Sequence, residues 1–266
     1  MDRICFRAAH IIAVATLAAC GEAGGPSTDA QVNFNVATRP APATSTTGGA
    51  AVTVSAPETF TDGVNTLIIT QVQLVLREIE LKRVETTTSC DGTSDDRCER
   101  LEVGPVLLDL PLGTGGAARS FSVAIDTGTF HEVEFEIHKP SDDDASDASF
   151  LQAHPEFADA SIRVTGSYNG VAFEYTSDLN AEEEIELSPP LAVAASGAAE
   201  LTLLVDLDRW FRDSAGTLID PVSANVSGTN EQLVEANIRS TLHAFEDEDH
   251  DGTDDHGGED DGPAHD

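Results

Sequence analysis

Two kinds of side chain in this sequence have the type and spacing to do chemistry: cysteines and clustered carboxylates. Cys20 ends the run Leu17-Ala18-Ala19-Cys20 and is followed by Gly21. Small residues before a cysteine, at the end of a short apolar segment, form a lipobox-like pattern in which the thiol is alkylated by a diacylglycerol and becomes the new N-terminus. Two or three acyl chains, at about 0.8 kcal/mol per buried methylene, make a stable anchor. Cys5 would leave with the signal, so Cys90 and Cys98 are the one pair left for an oxidising compartment. A disulfide between them would close the hydrophilic loop DGTSDDR. Zinc is the rival reading, but two cysteines with no nearby histidine make a poor site.

The carboxylates gather in three places. Asp247, Asp249 and Asp251 stand at i, i+2 and i+4, followed by Gly252, Asp254 and Asp255. That is the first half of an oxygen-donor calcium loop, with Asp247, Asp249, Asp251 and Asp255 as candidate ligands. The closing acid is misplaced, with Gly258 at the twelfth position and Glu259 one residue late. Calcium affinity should therefore be weak, on the order of 10⁻⁴–10⁻³ M. The competing reading is a solvated polyanion, and three nearby histidines could take up transition metals adventitiously. Ser141–Asp147 (SDDDASD) lacks a glycine for a sharp turn and reads as a solvated loop. Asp142–Asp144 and Glu182–Glu184 could do acid/base work in principle, but carboxylates in such runs are ordinarily solvated.

Other catalytic patterns are missing from the sequence. There is no GxSxG, since Gly166-Ser167-Tyr168-Asn169-Gly170 puts its serine one position early, and no HExxH, CxxC or phosphate-binding loop. His131 and His138 bracket a strand with opposite parity, so a regular strand would point them to opposite faces. Trp210 and Phe211 are expected to plug the end of the fold rather than to present a sugar platform. No catalytic residue is assigned, and no enzyme is expected. The charge narrows the partners further: 48 acidic against 14 basic residues give a formal −34. Phosphate backbones bind through Lys/Arg neutralisation, so nucleic acid is excluded, and anionic membrane surfaces are disfavoured for the same reason.

The elements that must position these groups are mostly strands. Arg3 and Arg7 precede the apolar run Ala8–Ala19, which spans roughly 18 Å against a bilayer core of about 30 Å. Residues 1–20 therefore read as a lipoprotein signal peptide, and 21–30 as a flexible Gly/Ser/Pro tether. Residues 31–245 read as one β domain. Val32, Phe34 and Val36 alternate with polar neighbours. Leu67 to Val84 is one long extended run whose apolar phase slips near Arg77–Glu78, the mark of a bulge. Leu101 and Val103 are expected to begin its return strand.

Phe121, Val123 and Ile125 alternate up to Asp126-Thr127-Gly128. Val133, Phe135 and Ile137 then alternate with Glu132, Glu134 and Glu136, a half-buried strand with one acidic face. Asn169-Gly170 is a strong hairpin signal between Ile162–Val164 and Phe173–Tyr175. Ile185 and Leu187 make a short strand, and Leu201–Leu207 a last one. One helix is expected over about 230–245, with Val234, Ile238, Leu242 and Phe245 on one face and Thr229 with Gln232 as a capping box. Residues 246–266, with eleven acids and no Lys or Arg, read as an acidic disordered tail. Shorter helical turns are expected around Phe150–Phe157 and Asp208–Arg212. The pattern argues for a mainly β fold, an antiparallel β-sandwich with one C-terminal helix.

The pieces VLLDLPLG, DTGTFHEVEFEIHKP, SIRVTGSYNGVAFEYTSDL, ELTLLVDLDRWF, GTLIDP and ANIRSTLHAF follow one another in an order that resembles a group of bacterial lipoproteins of unknown function. That group is built on an immunoglobulin- or transthyretin-like sandwich, and the likeness covers roughly residues 30 to 255. It implies that fold and adds no activity. The expectation is a lipid-anchored, extracytoplasmic binding or structural module of the bacterial cell envelope, with the outer membrane favoured. Its partners would be the membrane, through the lipid, and a protein or glycan. The alternatives are an envelope hydrolase or carbohydrate-processing accessory protein, and calcium-dependent adhesion through the tail.

Overall fold

Where period-2 alternation is strongest, strands form. The computed structural model describes residues 30–38, 56–84, 104–113, 118–141, 143–195 and 197–248. Cys20, Cys90, Cys98, Leu101, Val103, Asp249, Asp251 and Asp255 lie outside the described residues.

Eleven strands among the described residues make two sheets. The larger contains β2 (Glu58–Thr61), β3 (Thr66–Arg83), β4 (Val106–Asp109), β6 (Gly128–Ile137), β7 (Ile162–Tyr168), β8 (Val171–Ser177) and β9 (Ala181–Val193). The smaller runs β11-β10-β1-β5, with β1 at Ala30–Thr38, β5 at Ala118–Ala124, β10 at Gly197–Val205 and β11 at Leu242–Glu246.

β3 organises the larger sheet, pairing antiparallel with β2, β4, β6 and β7 along its eighteen residues. Its register against β6 shifts between Leu76 and Ile79, which is the bulge the phase slip foretold. A second shift, between Ile69 and Gln71 against β7, lies beside Gly166, where a Cβ would sit 1.9 Å from the Ile68 carbonyl oxygen. The Asn169-Gly170 turn takes φ of 51° and 81°, the left-handed pair that a two-residue hairpin needs.

The sheets share one apolar core. Phe34 and Val36 of β1, Leu76 and Ile79 of β3, Val133 and Phe135 of β6, and Leu201 of β10 face a common interior space of about 20 Å³. Phe34 stacks on Phe121 with centroids 4.9 Å apart. Beyond the smaller sheet, residues 207–241 cover the β7–β8 end of the larger one. There Trp210 and Phe211 are fully buried, as expected of a plug. Phe211 packs edge-on against Tyr175 at 5.1 Å, and the Trp210 indole N–H donates to Thr241 Oγ1 at 2.9 Å. Burial raises the Tyr175 phenol well above its ordinary range.

Several expectations need correction. β1 runs parallel to β10, so the sheets are not antiparallel throughout. A parallel pair needs a long connection, and here most of the chain supplies it. The expected short strand at Ile185–Leu187 is thirteen residues of β9. The expected last strand ends at Val205, and Leu207–Arg209 form a 3₁₀ turn. The helix expected over 230–245 stops early: α2 is preceded by α1 (Ala145–Ala153) and covers only Glu231–Arg239. Thr241 Oγ1 donates to the Ile238 carbonyl at 2.7 Å, satisfying the helix end with a side chain. Leu242 is buried as the helical spacing implied, but it reaches the core from β11, which pairs with the edge of β10.

No side chain makes the Thr229–Gln232 capping box. Asn230 occupies the cap, while Glu231 turns back to accept from the Ser227 N–H at 2.8 Å. The SDDDASD segment is not a solvated loop over its length, for Asp144 caps α1 and Asp147 is fully buried. The Ser146 hydroxyl and the first amides of α1 hold the Asp144 carboxyl below the usual range. Nor does the tail begin at 246, since Glu246 pairs with Leu201 and Asp247 is buried.

Candidate functional site

Polar chemistry concentrates on the outer face of the larger sheet. Because Val133, Phe135 and Ile137 point into the core, Glu132, Glu134 and Glu136 of β6 point out. Antiparallel register sets Glu186, Glu184 and Glu182 of β9 opposite them, and Glu80 and Lys82 of β3 opposite Glu134 and Glu132. The result is a field of carboxylates three strands wide.

Lys82 is its hub. The ammonium lies 2.5 Å from Glu132, 2.9 Å from Glu134 and 3.4 Å from Glu184. Hydrogen bonds to Glu132 and then Glu134 raise its pKa well above the ordinary lysine value. Like charges directly opposite on neighbouring strands destabilise a sheet, so one lysine at the centre offsets part of that repulsion. Further along, Glu182 hydrogen-bonds Glu134, and this contact with a second carboxylate raises its pKa. His138 extends the row, its Nδ1 3.4 Å from a Glu136 oxygen.

Oxygens of Glu132, Glu134 and Glu184 come within 4.8 Å of one another, as do those of Asp178, Glu231 and Glu235. Either trio has the hard-donor chemistry of a divalent-cation ligand set. In the first, the Lys82 ammonium occupies the meeting point. In the second, Ser177 Oγ already donates to Glu235 at 2.8 Å.

The second polar concentration is on the smaller sheet. Asn33 and Asn35 of β1 donate to the two oxygens of Glu200 at 2.5 and 3.0 Å. Next to them Thr202 Oγ1 donates to Asp247 Oδ2 at 3.0 Å, and the Asp247 N–H reaches the Glu200 carbonyl at 3.4 Å. Asp247, the first candidate calcium ligand, is thus held against β10 and is poorly placed to open a solvated loop. The pairing of β11 along β10 carries it there.

A third feature lies where β9 passes beside β11. Leu187, Ser188, Pro189, Leu191, Ala244 and Phe245 line an open cleft of about 160 Å³ together with Glu186 and Glu246.

Of the sequence candidates, Glu182–Glu184 and His138 fall in the outer-face field, whereas His131 lies within the register shift of β6 between Phe130 and Glu132. Lys82 was not singled out. The available signal was that it is one of two lysines in the chain and lies on the polar phase of a long strand.

No protein-family model matches this chain, and no curated protein or solved structure is significantly similar to it. Among the described residues no helix is long and apolar enough to cross a membrane.

Proposed function

We propose that this chain is a lipid-anchored, extracytoplasmic β-sandwich module of immunoglobulin or transthyretin type, which acts by binding and not by catalysis. The observation that carries this reading is where the carboxylates sit. Glu132, Glu134, Glu136, Glu182, Glu184 and Glu186 are on the outside of a sheet, while the space that Phe34, Leu76, Val133 and Leu201 line between the sheets is small and apolar. Glycoside hydrolysis uses two carboxyl groups flanking a bond, in a site that buries its substrate. Of the glutamates here, Glu182, Glu184 and Glu186 are exposed while Glu132 and Glu134 are mostly covered, and exposed carboxylates favour recognition of cationic groups.

The lipobox-like Leu17–Gly21 segment and the Gly/Ser/Pro tether support anchoring, and the Cys90–Cys98 pair suits an oxidising compartment. The resemblance to lipoproteins of sandwich fold supports the same address. Weak calcium binding by Asp249, Asp251 and Asp255 belongs to this reading; Asp247 contributes less, because it is buried. The rival reading, an envelope hydrolase or carbohydrate-processing accessory, could use the β9–β11 cleft lined by Glu186 and Glu246. That cleft holds about 160 Å³, below the roughly 300–1,000 Å³ of small-molecule sites.

Replacing Cys20 with alanine tests the anchor. The variant should leave the membrane fraction, or accumulate with its signal uncut. A C20A protein that is processed and still sediments with membranes refutes the lipoprotein reading.

A further inference from the structure

The two long sides of the larger sheet end differently. At β8 the Asn225 side chain accepts from the Thr176 N–H at 2.8 Å and donates to the Glu174 carbonyl at 3.4 Å, so an amide stands in for a neighbouring strand. β9 has thirteen residues and, among the described residues, pairs with β6 alone. Unpaired strand edges are templates for another chain, and folded proteins ordinarily blunt them. Pro189 and Pro190 blunt the second half of β9, since proline has no N–H to offer. Residues 181–187 carry no proline.

We infer that the open edge of β9 at residues 181–187, with the cleft it forms against β11, docks an extended peptide segment in which lysine or arginine alternates with aliphatic residues. This inference rests on the binding-module reading and specifies its partner. The alternation follows from the pleat. A strand added to this edge would place every second side chain on the outer face, beside Glu182, Glu184 and Glu186, all exposed. Those glutamates recur about every 6.8 Å, the spacing of alternate side chains in any extended chain. The intervening side chains would point inward, beside Ala181, Glu183, Ile185 and Leu187, the last of which lines the cleft with Leu191 and Ala244. Its 160 Å³ is close to the roughly 150 Å³ that holds a benzene-sized body, room for one aliphatic anchor.

The charge selects the occupant. A second copy docked edge to edge would set glutamate against glutamate, which sheets disfavour. Cationic side chains would add to the neutralisation that Lys82 provides for Glu132, Glu134 and Glu184. Glu182 hydrogen-bonds Glu134, which raises its carboxyl pKa, so two carboxyl groups already lie in contact where such a partner would add positive charge.

The test uses the purified full-length protein and a fluorescent peptide of about nine residues alternating lysine and valine, matched to the strand period. Anisotropy should show saturable binding that weakens with salt. The triple variant E182Q/E184Q/E186Q, whose side chains are exposed, should weaken it by about tenfold or more, as expected for lost charge pairs. A peptide of equal charge with alternate backbone nitrogens methylated cannot pair with a strand and should bind at least about tenfold more weakly. Equal affinity of the methylated peptide would overturn the strand-pairing inference, leaving only a diffuse anionic surface. Unchanged binding by the triple variant, or no binding by the lysine–valine peptide, would overturn it as well. Competition by millimolar Ca²⁺ at constant ionic strength that is the same when Asp249, Asp251 and Asp255 are replaced by asparagine would overturn it too, assigning the face to a cation instead. None of these results bears on C20A fractionation, so failure here leaves the anchored-module reading to be judged by itself.

Discussion

The β8 and β9 edges of the larger sheet border the same core and meet opposite fates. The β8 side is covered by residues 207–241, where Trp210, Phe211, Val234 and Ile238 are buried and Asn225 caps the edge. The β9 side carries three exposed glutamates, two prolines and an open cleft. Cover of the first kind stabilises through burial, whereas exposure of the second kind leaves backbone and charge available. The contrast separates a structural end of the molecule from a candidate recognition end.

The largest effect should come from breaking the covered side. Trp210→Ala removes a fully buried indole and its bond to Thr241, and should cost about 3–5 kcal/mol in urea unfolding. If the β9 side is independent of it, peptide binding by the folded fraction should be unchanged.

Lys82→Met attacks the exposed side and should cost less, about 1–2 kcal/mol at low salt, because the lysine side chain is one-third exposed and screened. Added salt should recover part of the loss. The pH dependence follows from the raised lysine value: its stabilisation is complete below the unfolded lysine pKa and is lost as pH rises through the folded one. The penalty of the substitution should therefore be steady from about pH 6 to 9 and shrink only in strong alkali. A penalty that varies across the neutral range, measured by denaturation at a series of pH values, would refute Lys82 as the hub.

Asn225→Ala offers the smallest and most direct sharpening. It uncaps β8 without touching the core and should cost about 1 kcal/mol, the worth of one such hydrogen bond. Light scattering should show concentration-dependent association in the variant and none in the parent. Association in neither would mean that the cap does not act as an edge guard.

Much of the fold was legible in the sequence because local rules govern it. The bulge after Leu76 was written in the apolar phase of β3, and the Asn169-Gly170 hairpin in the left-handed preference of its turn. The acidic face of β6 followed from alternation, since a side chain's neighbours at i±2 decide which face it joins. The burial of Trp210 was anticipated from its place after a strand.

What local rules could not supply was partnership between distant segments. Lys82, Glu132 and Glu184 meet only because β3, β6 and β9 lie side by side in a given register. A shift of one residue would turn each of them to the other face. Likewise, the helical spacing through Leu242 was real, but the open edge of β10 and the Thr241 hydroxyl gave that segment a better set of backbone partners. The same edge drew Glu246 and Asp247 out of what composition marks as tail. Periodicity within the chain thus determined which residues face inward and where the turns fall. Tertiary structure decided which edges are closed and which carboxylates stand together, because hydrogen-bond pairing and charge repulsion act across space between residues that are remote in sequence.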